Sequence, residues 1–174
     1  MLAISGSLRR QSSNTALVGA ALRLASDTVE LTIYSSLGSL AHFNPDNDGV
    51  DVPEPVREWR TKLQKSDAVL ISSPEYAHGV PGTLKNALDW VVGSGELIGK
   101  PIALINASAR ATHAWAALAE TVTVMSARLV REASITLPLD GRHLDADAIA
   151  QDPTLSRALR SAIELLASAA RQPA

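Results

Sequence analysis

The chain contains no cysteine, which removes disulfides, thiolate metal sites and cysteine nucleophiles from consideration. Aromatic residues are scarce at 3%, so no platform for stacking nucleobases runs along it. An excess of either charge is lacking too. The 16 Lys and Arg against 18 Asp and Glu leave a net charge of −2, with no electrostatic footprint for a nucleic acid. The four histidines, His42, His78, His113 and His143, lie far apart and form no helical metal-ligand pair. No apolar run reaches the length of a membrane-spanning helix. Arg9-Arg10 ahead of the run Thr15-Ala-Leu-Val-Gly-Ala-Ala-Leu22 superficially resembles a twin-arginine export signal, but Arg23 cuts the run and a strand precedes the arginines. The expectation is a cytoplasmic protein without nucleic-acid or membrane partners.

What is present is alternation. At 174 residues the chain is expected to form one domain over 1–174, large enough to bury roughly 70% of its unfolded surface. Met1-Leu-Ala-Ile-Ser5 reads as a minimal strand, followed by a helix carrying Leu17, Ala21, Leu22 and Ala25. Val29-Glu-Leu-Thr-Ile-Tyr34 alternates as a second strand, and a long loop leads to a helix from Pro55 with Val56, Trp59 and Leu63 on one face. Ala68-Val-Leu-Ile71 and Pro101-Ile-Ala-Leu-Ile105 are buried strands by composition, with Leu84, Leu88 and Val91 at helical spacing between them. A helix over 115–127, a fifth strand over 130–135 and a last helix from Pro153 complete the pattern. Strands alternating with helices predict an α/β fold with a parallel sheet covered on both faces.

Two loops at strand carboxyl ends carry the chemistry, because open α/β sheets bind ligands there. Gly6-Ser-Leu-Arg-Arg-Gln-Ser-Ser-Asn14 runs from the first strand into a helix whose first amides lack internal partners and whose dipole is positive at that end. A phosphate is favoured there, with Ser7, Ser12, Ser13 and Asn14 as neutral donors and Arg9 as a full charge. Taken singly, Ser12 or Ser13 reads as a helix N-cap and Arg9 as a solvated side chain. The second loop, Ser73-Pro-Glu-Tyr-Ala-His-Gly-Val-Pro-Gly82, is rigidified by two prolines and two glycines. With the amide of Gly79 and the ring of Tyr76 it suits a planar heterocycle.

These residues resemble the NAD(P)H-dependent FMN reductases, which include quinone, azo-dye and chromate reductases. The first loop is similar to the family pattern G-S-L-R-x-x-S-x-N, matched by Gly6, Ser7, Leu8, Arg9, Ser12 and Asn14. The second is similar to P-E-Y-x-x-x-x-P-G-x-L-K-N-A-L-D-W, matched by Pro74, Glu75, Tyr76, Pro81, Gly82 and the run Leu84-Lys-Asn-Ala-Leu-Asp-Trp90. Phe43-Asn-Pro-Asp46 and Gly99-Lys-Pro101 supply two further ordered matches. The resemblance implies a flavodoxin-like doubly wound sheet of five strands in the order 2-1-3-4-5, three layers in all, with the switch point between strands one and three.

It further implies bound FMN, with NADPH or NADH as cosubstrate and a small-molecule electron acceptor such as a quinone. Ser7, Arg9, Ser12 and Asn14 are expected to hold the phosphate, while Pro74, Glu75, Tyr76, Ala77, His78, Gly79 and Ser108 line the ring. No side chain is expected to act as acid or base, and the family's assembly implies a homodimer or homotetramer. The residues 85–90 and 110–115 are expected near a subunit contact. Two departures stand out. Ala77 and then His78 follow Tyr76 where relatives often have Asn, and the segment Asn106-Ala-Ser-Ala-Arg-Ala-Thr-His-Ala114 replaces a Gly-rich turn, with Ser108 alone matching.

Other readings are weaker. Gly93-Ser-Gly-Glu-Leu-Ile-Gly-Lys-Pro101 has the wrong glycine spacing for a P-loop, and Pro101 stands where a hydroxyl is required. Ser72 and Ser73 near Glu75 and His78 sit in no G-x-S-x-G elbow, against a serine hydrolase. A flavodoxin-like electron carrier is the main alternative, disfavoured by the near-balanced charge, since carriers display acidic docking surfaces. A flavin-free binding module comes third and leaves the phosphate loop idle.

Overall fold

The computed structural model of the chain describes residues 1–139 and 141–172. Four strands form the centre of a wholly parallel sheet: β1 (Leu2–Ser5), β2 (Thr32–Tyr34), β3 (Val69–Ser72) and β4 (Pro101–Asn106). Ala3 lies opposite Ile33 of β2 on one side and Leu70 of β3 on the other. Two short pieces, β5 (Arg128–Leu129) and β6 (Ile135–Thr136), both pair with β4 and together fill the fifth position. The order is β2-β1-β3-β4-β5, the flavodoxin-like doubly wound arrangement.

The continuous fifth strand expected over 130–135 is therefore corrected. A single 3₁₀ turn at Arg131–Ala133 lifts the chain off the sheet. Ser134 Oγ then accepts the Leu104 amide at 3.1 Å and donates to the Val130 carbonyl at 2.8 Å. A side chain thus satisfies a β4 donor that a strand would otherwise have taken. β2 is also shorter than expected, because Val29 closes a turn onto the Ser26 carbonyl and only Thr32–Tyr34 reach β1.

Six helices cover the sheet: α1 (Ser13–Leu24), α2 (Glu54–Gln64), α3 (Gly82–Asp89), α4 (Thr112–Val124), α5 (Ala146–Gln151) and α6 (Pro153–Ala170). Side chains along each strand alternate between two cores. Leu2, Ile4, Val69, Ile71, Ile102 and Leu104 pack with Trp59, Leu63, Leu88 and Trp90 beneath α2, α3 and α4. Ala3, Leu70, Ala103 and Ile105 pack with Leu17, Ala21, Leu159 and Ile163 of α1 and α6. The result is three layers, helix on sheet on helix. No helix among the described residues is long and apolar enough to cross a membrane.

Two termini of these helices rest on non-local or unusual caps. α4 begins at Thr112, three residues before the expected Trp115, although Ala111 at its N-cap has no side-chain acceptor. It ends at Val124, where Ser126 adopts φ +61° and the amides of Ala127 and Ser126 return to Val122 and Thr123, a Schellman closure with Ser in the place usually held by Gly. α5 has no counterpart in the expected elements. It is a short helix capped by Asp145 and set against α1, where a Cβ on Gly19 would lie 2.9 Å from Ala146.

The run on α3 that matches the family pattern is used inside the fold. Asn86 Oδ1 accepts the Phe43 amide at 2.7 Å, and Asn86 Nδ2 and Trp90 Nε1 both donate to the Ala41 carbonyl. Arg60, half-buried on α2, donates to Asp48 at 2.7 Å and to the Trp90 carbonyl, with the buried Glu96 3.9 Å away. These bonds pin the long β2–α2 loop against α3. Trp59 and Trp90 are both fully buried core residues.

Candidate functional site

β1 and β3 are paired to their carboxyl ends, and beyond them the chain leaves for helices on opposite faces of the sheet, which opens a crevice that continues to the end of β4. A cleft of about 380 Å³ occupies that place, lined by Ser13, Asn14, Ser73, Pro74, Glu75 and the segment 106–111 among others. The two loops approach closely. The Gly6 amide donates to the Ser72 carbonyl at 2.8 Å, and a Cβ on Gly6 would lie 2.8 Å from Ser73 Oγ, so a side chain here would displace Ser73.

The four residues expected around a phosphate are distributed around the amino end of α1. Asn14 lines the cleft, and its Oδ1 accepts a hydrogen bond from Ser72 Oγ at 2.9 Å, joining α1 to β3. Ser12 is the N-cap of α1, its hydroxyl accepting the Thr15 amide at 3.3 Å. Ser7 is buried, and its hydroxyl accepts the Arg9 amide at 3.3 Å. Ser7 and Arg9 line an adjoining depression of about 270 Å³ on the β2 side of the loop. Among the described residues the Arg9 guanidinium makes no ion pair. The hydroxyls thus shape the loop, and the charge left over is that of Arg9 together with the first amides of α1.

The second loop divides at Glu75. Pro74 and Glu75 line the cleft, and Glu75 Oε2 accepts the Ala114 amide at 2.8 Å, supplying α4 with the cap that Ala111 lacks. Tyr76, Ala77, His78 and Gly79 then form a two-residue hairpin, closed by Tyr76 N to Gly79 O at 3.1 Å and Gly79 N to Tyr76 O at 2.9 Å. Ala77 and His78 take φ of 49° and 60°, the left-handed pair that such a turn demands and that Asn-Gly ordinarily supplies. None of these four residues belongs to the cleft lining; they stand at its rim, with Tyr76 53% exposed. His78 lies flat on His113 of α4, with ring centroids 4.2 Å apart and planes within 6°.

The third wall is the loop after β4. Ser108 lines the cleft, and its hydroxyl accepts the Arg110 amide at 3.3 Å. Asn106 is buried beneath it, with Oδ1 accepting the Ser108 amide at 3.1 Å and Nδ2 donating to the Ala111 carbonyl at 3.2 Å. Ser73, Asn106, Leu139 and Gly141 line the cleft without having been singled out in the sequence. Asn106 had a signal, since Asn at a strand end with Ser two residues on is an Asx-turn pattern. Leu139 and Gly141 had none, because they reach the cleft only through the return of the chain beyond β6.

A cleft of this size, polar along its walls, bounded by a helix amino end on one side and by flat or rigid loops on the others, can seat an anionic group and a planar ring together. Known proteins agree with that geometry. The solved structure of FerB, a flavoenzyme NAD(P)H:(acceptor) oxidoreductase from Paracoccus denitrificans, superposes with a TM-score of 0.75 and 28% identity over 96% of both chains. A quinone reductase of Pseudomonas putida is 37% identical over 108 residues, covering 60% of this chain and 58% of the relative. An NAD(P)H-dependent FMN reductase of Pseudomonas aeruginosa is 34% identical over 111 residues, covering 63% and 60%. The chain thus matches less than two thirds of the length of these two curated relatives. The model of the NADPH-dependent FMN reductases matches residues 1–138, which include the strands β1 to β6 and all three loops of the cleft. On that match and on its strand order, the chain belongs to the NADPH-dependent FMN reductase family.

Proposed function

We propose that the protein is an NAD(P)H-dependent FMN oxidoreductase that passes reducing equivalents to a quinone-like small molecule. The observation that carries this reading is the cleft itself, placed at the switch point between β1 and β3 and lined by Ser13 and Asn14 at the amino end of α1, with Arg9 on the adjoining depression. The donor set fits a phosphorylated flavin, with Arg9 and the amides of Ser13 and Asn14 for the phosphate and a narrow slot between the β3 and β4 loops for the ring. FMN supplies, when bound, the capacity to accept a hydride and hand its electrons on.

The chain's own residues do the placing. Ser7, Arg9, Ser12 and Asn14 surround the phosphate, the Ser7 and Ser12 hydroxyls each accepting a backbone amide and keeping a proton to donate. Pro74, Glu75 and Ser108 border the ring in the cleft, and the hairpin Tyr76, Ala77, His78 and Gly79 covers its outer edge. No side chain is assigned a role as acid or base. The reading takes 1–174 as one unit in the cytoplasm, where reduced nicotinamide is regenerated, and assembled as a homodimer or homotetramer.

One slot for a planar partner requires donor and acceptor to enter in turn. Initial rates with varied NADPH at several fixed quinone concentrations should therefore give parallel double-reciprocal lines, with excess quinone competing against NADPH. Intersecting lines overturn the one-slot reading, and bound flavin without NADPH turnover identifies an electron carrier instead.

A further inference from the structure

The rim of the cleft departs most from a generic flavin site at His78, His113 and Arg110, and these three residues point to a preference among acceptors. The hairpin is built against its own sequence. Ala77 and His78 occupy left-handed backbone that Asn or Gly would hold more comfortably, so other contacts must maintain the turn. Two do so, one on either side of Tyr76. Glu75 binds the Ala114 amide at 2.8 Å, and the His78 ring stacks on His113 at 4.2 Å. The β3 hairpin is thereby fastened to the first turn of α4.

This fastening leaves a particular surface. Each imidazole turns one face to the other, and both residues are exposed, so an outer ring face is available to a third flat ring. Arg110, three residues ahead of His113, lines the cleft and makes no ion pair among the described residues. Among the described lining residues Arg110 is the one cation and Glu75 the one carboxylate, and Glu75 turns Oε2 to the α4 amide. The rim therefore presents the Arg110 guanidinium beside two imidazoles, with the Glu75 carboxylate turned to the amino end of α4.

We infer that His78, His113 and Arg110 form a specificity wall that favours planar aromatic acceptors carrying a negative charge, such as a phenolate, carboxylate or sulfonate on a quinone ring. The ring extends the imidazole stack and the anion meets Arg110. This rests on the oxidoreductase reading above.

The test compares a neutral naphthoquinone with its sulfonate under NADPH, in the FMN-loaded wild type and in Arg110→Ala, Arg110→Lys and His113→Phe. A charge-assisted hydrogen bond sets the scale. Arg110→Ala should cost the sulfonate about tenfold more in kcat/KM than the neutral quinone, mostly through KM. Arg110→Lys should restore part of the difference, and His113→Phe should keep the stacking and weaken the charge preference by a smaller factor. Equal losses for the two quinones overturn the inference. In parallel, redox-inert naphthalene-2-sulfonate and naphthalene-2-methanol are titrated while the imidazole proton resonances of His78 and His113 are recorded. The sulfonate should move both resonances at concentrations where the alcohol does not, and Arg110→Ala should weaken its binding about tenfold. Unmoved resonances, or equal affinity for the two compounds, overturn the wall. Absence of NADPH turnover with both quinones overturns the oxidoreductase reading, while the titration still decides the wall.

Discussion

Arg9 and Tyr34 lie on the same depression beside the first-strand loop, the one an exposed guanidinium and the other a buried phenol. Arg9 has no ion-pair partner among the described residues, whereas Ser7, Ser12 and Asn14 each accept a hydrogen bond inside the fold. Arg9→Ala should weaken FMN binding by roughly ten- to a hundredfold, the scale of one charge-assisted hydrogen bond, and leave riboflavin almost unaffected. Fluorescence titrations of both flavins check this, and equal losses would place Arg9 away from the phosphate. Tyr34 is different. Its hydroxyl is buried with no partner among the described residues, and burial, aided by the Glu58 charge, pushes the phenol up from 10.0 to about 12. The folded chain thus keeps a proton that the unfolded chain releases, so this group's contribution is intact below pH 10 and is lost as pH rises toward about 12. Tyr34→Phe removes the orphaned hydroxyl and should raise stability by about 1 kcal/mol while flattening that alkaline decline. Urea unfolding across the alkaline range measures both, and a destabilised variant would mean that the hydroxyl has a partner.

At the scale of elements, the junction between the β3 loop and α4 shows what local sequence can and cannot reveal. Glu75→Ala removes the acceptor from the Ala114 amide and should cost about 1 kcal/mol, with Glu75→Gln costing less because it keeps a carbonyl there. Thermal unfolding of the two variants distinguishes this from a purely electrostatic role, in which both would lose alike. The same bond explains why α4 begins earlier than its sequence predicts, since its cap arrives from 39 residues away. Strands β1, β3 and β4 were legible because continuous apolar runs flanked by turns admit little else, and their order followed from the resemblance. The broken fifth strand was not, because the substitution of Ser134 Oγ for a backbone acceptor is a tertiary event. α5 escaped notice because a helix this short carries too few apolar positions to show a period. Of the site, Pro74, Glu75, Asn14 and Ser108 were legible from their motifs, while Leu139 and Gly141 join the cleft only once the chain has folded back.

For the whole molecule, the strand order is what turns separate motifs into one place. Crossing from β1 to β2 on one side and to β3 on the other leaves an opening at their carboxyl ends, and the loops after β1, β3 and β4 converge there. The two cores pack the sheet from either face beneath that opening. On the function proposed above, this opening holds a flavin which reduced nicotinamide can reach. The most direct measurement is the visible spectrum of the FMN-loaded protein under anaerobic conditions as NADPH is added, followed by a quinone. The flavin absorption should bleach within one turnover and return when the quinone is admitted. Failure of the protein to take up FMN, or a flavin whose colour persists in excess NADPH and NADH, would contradict that function.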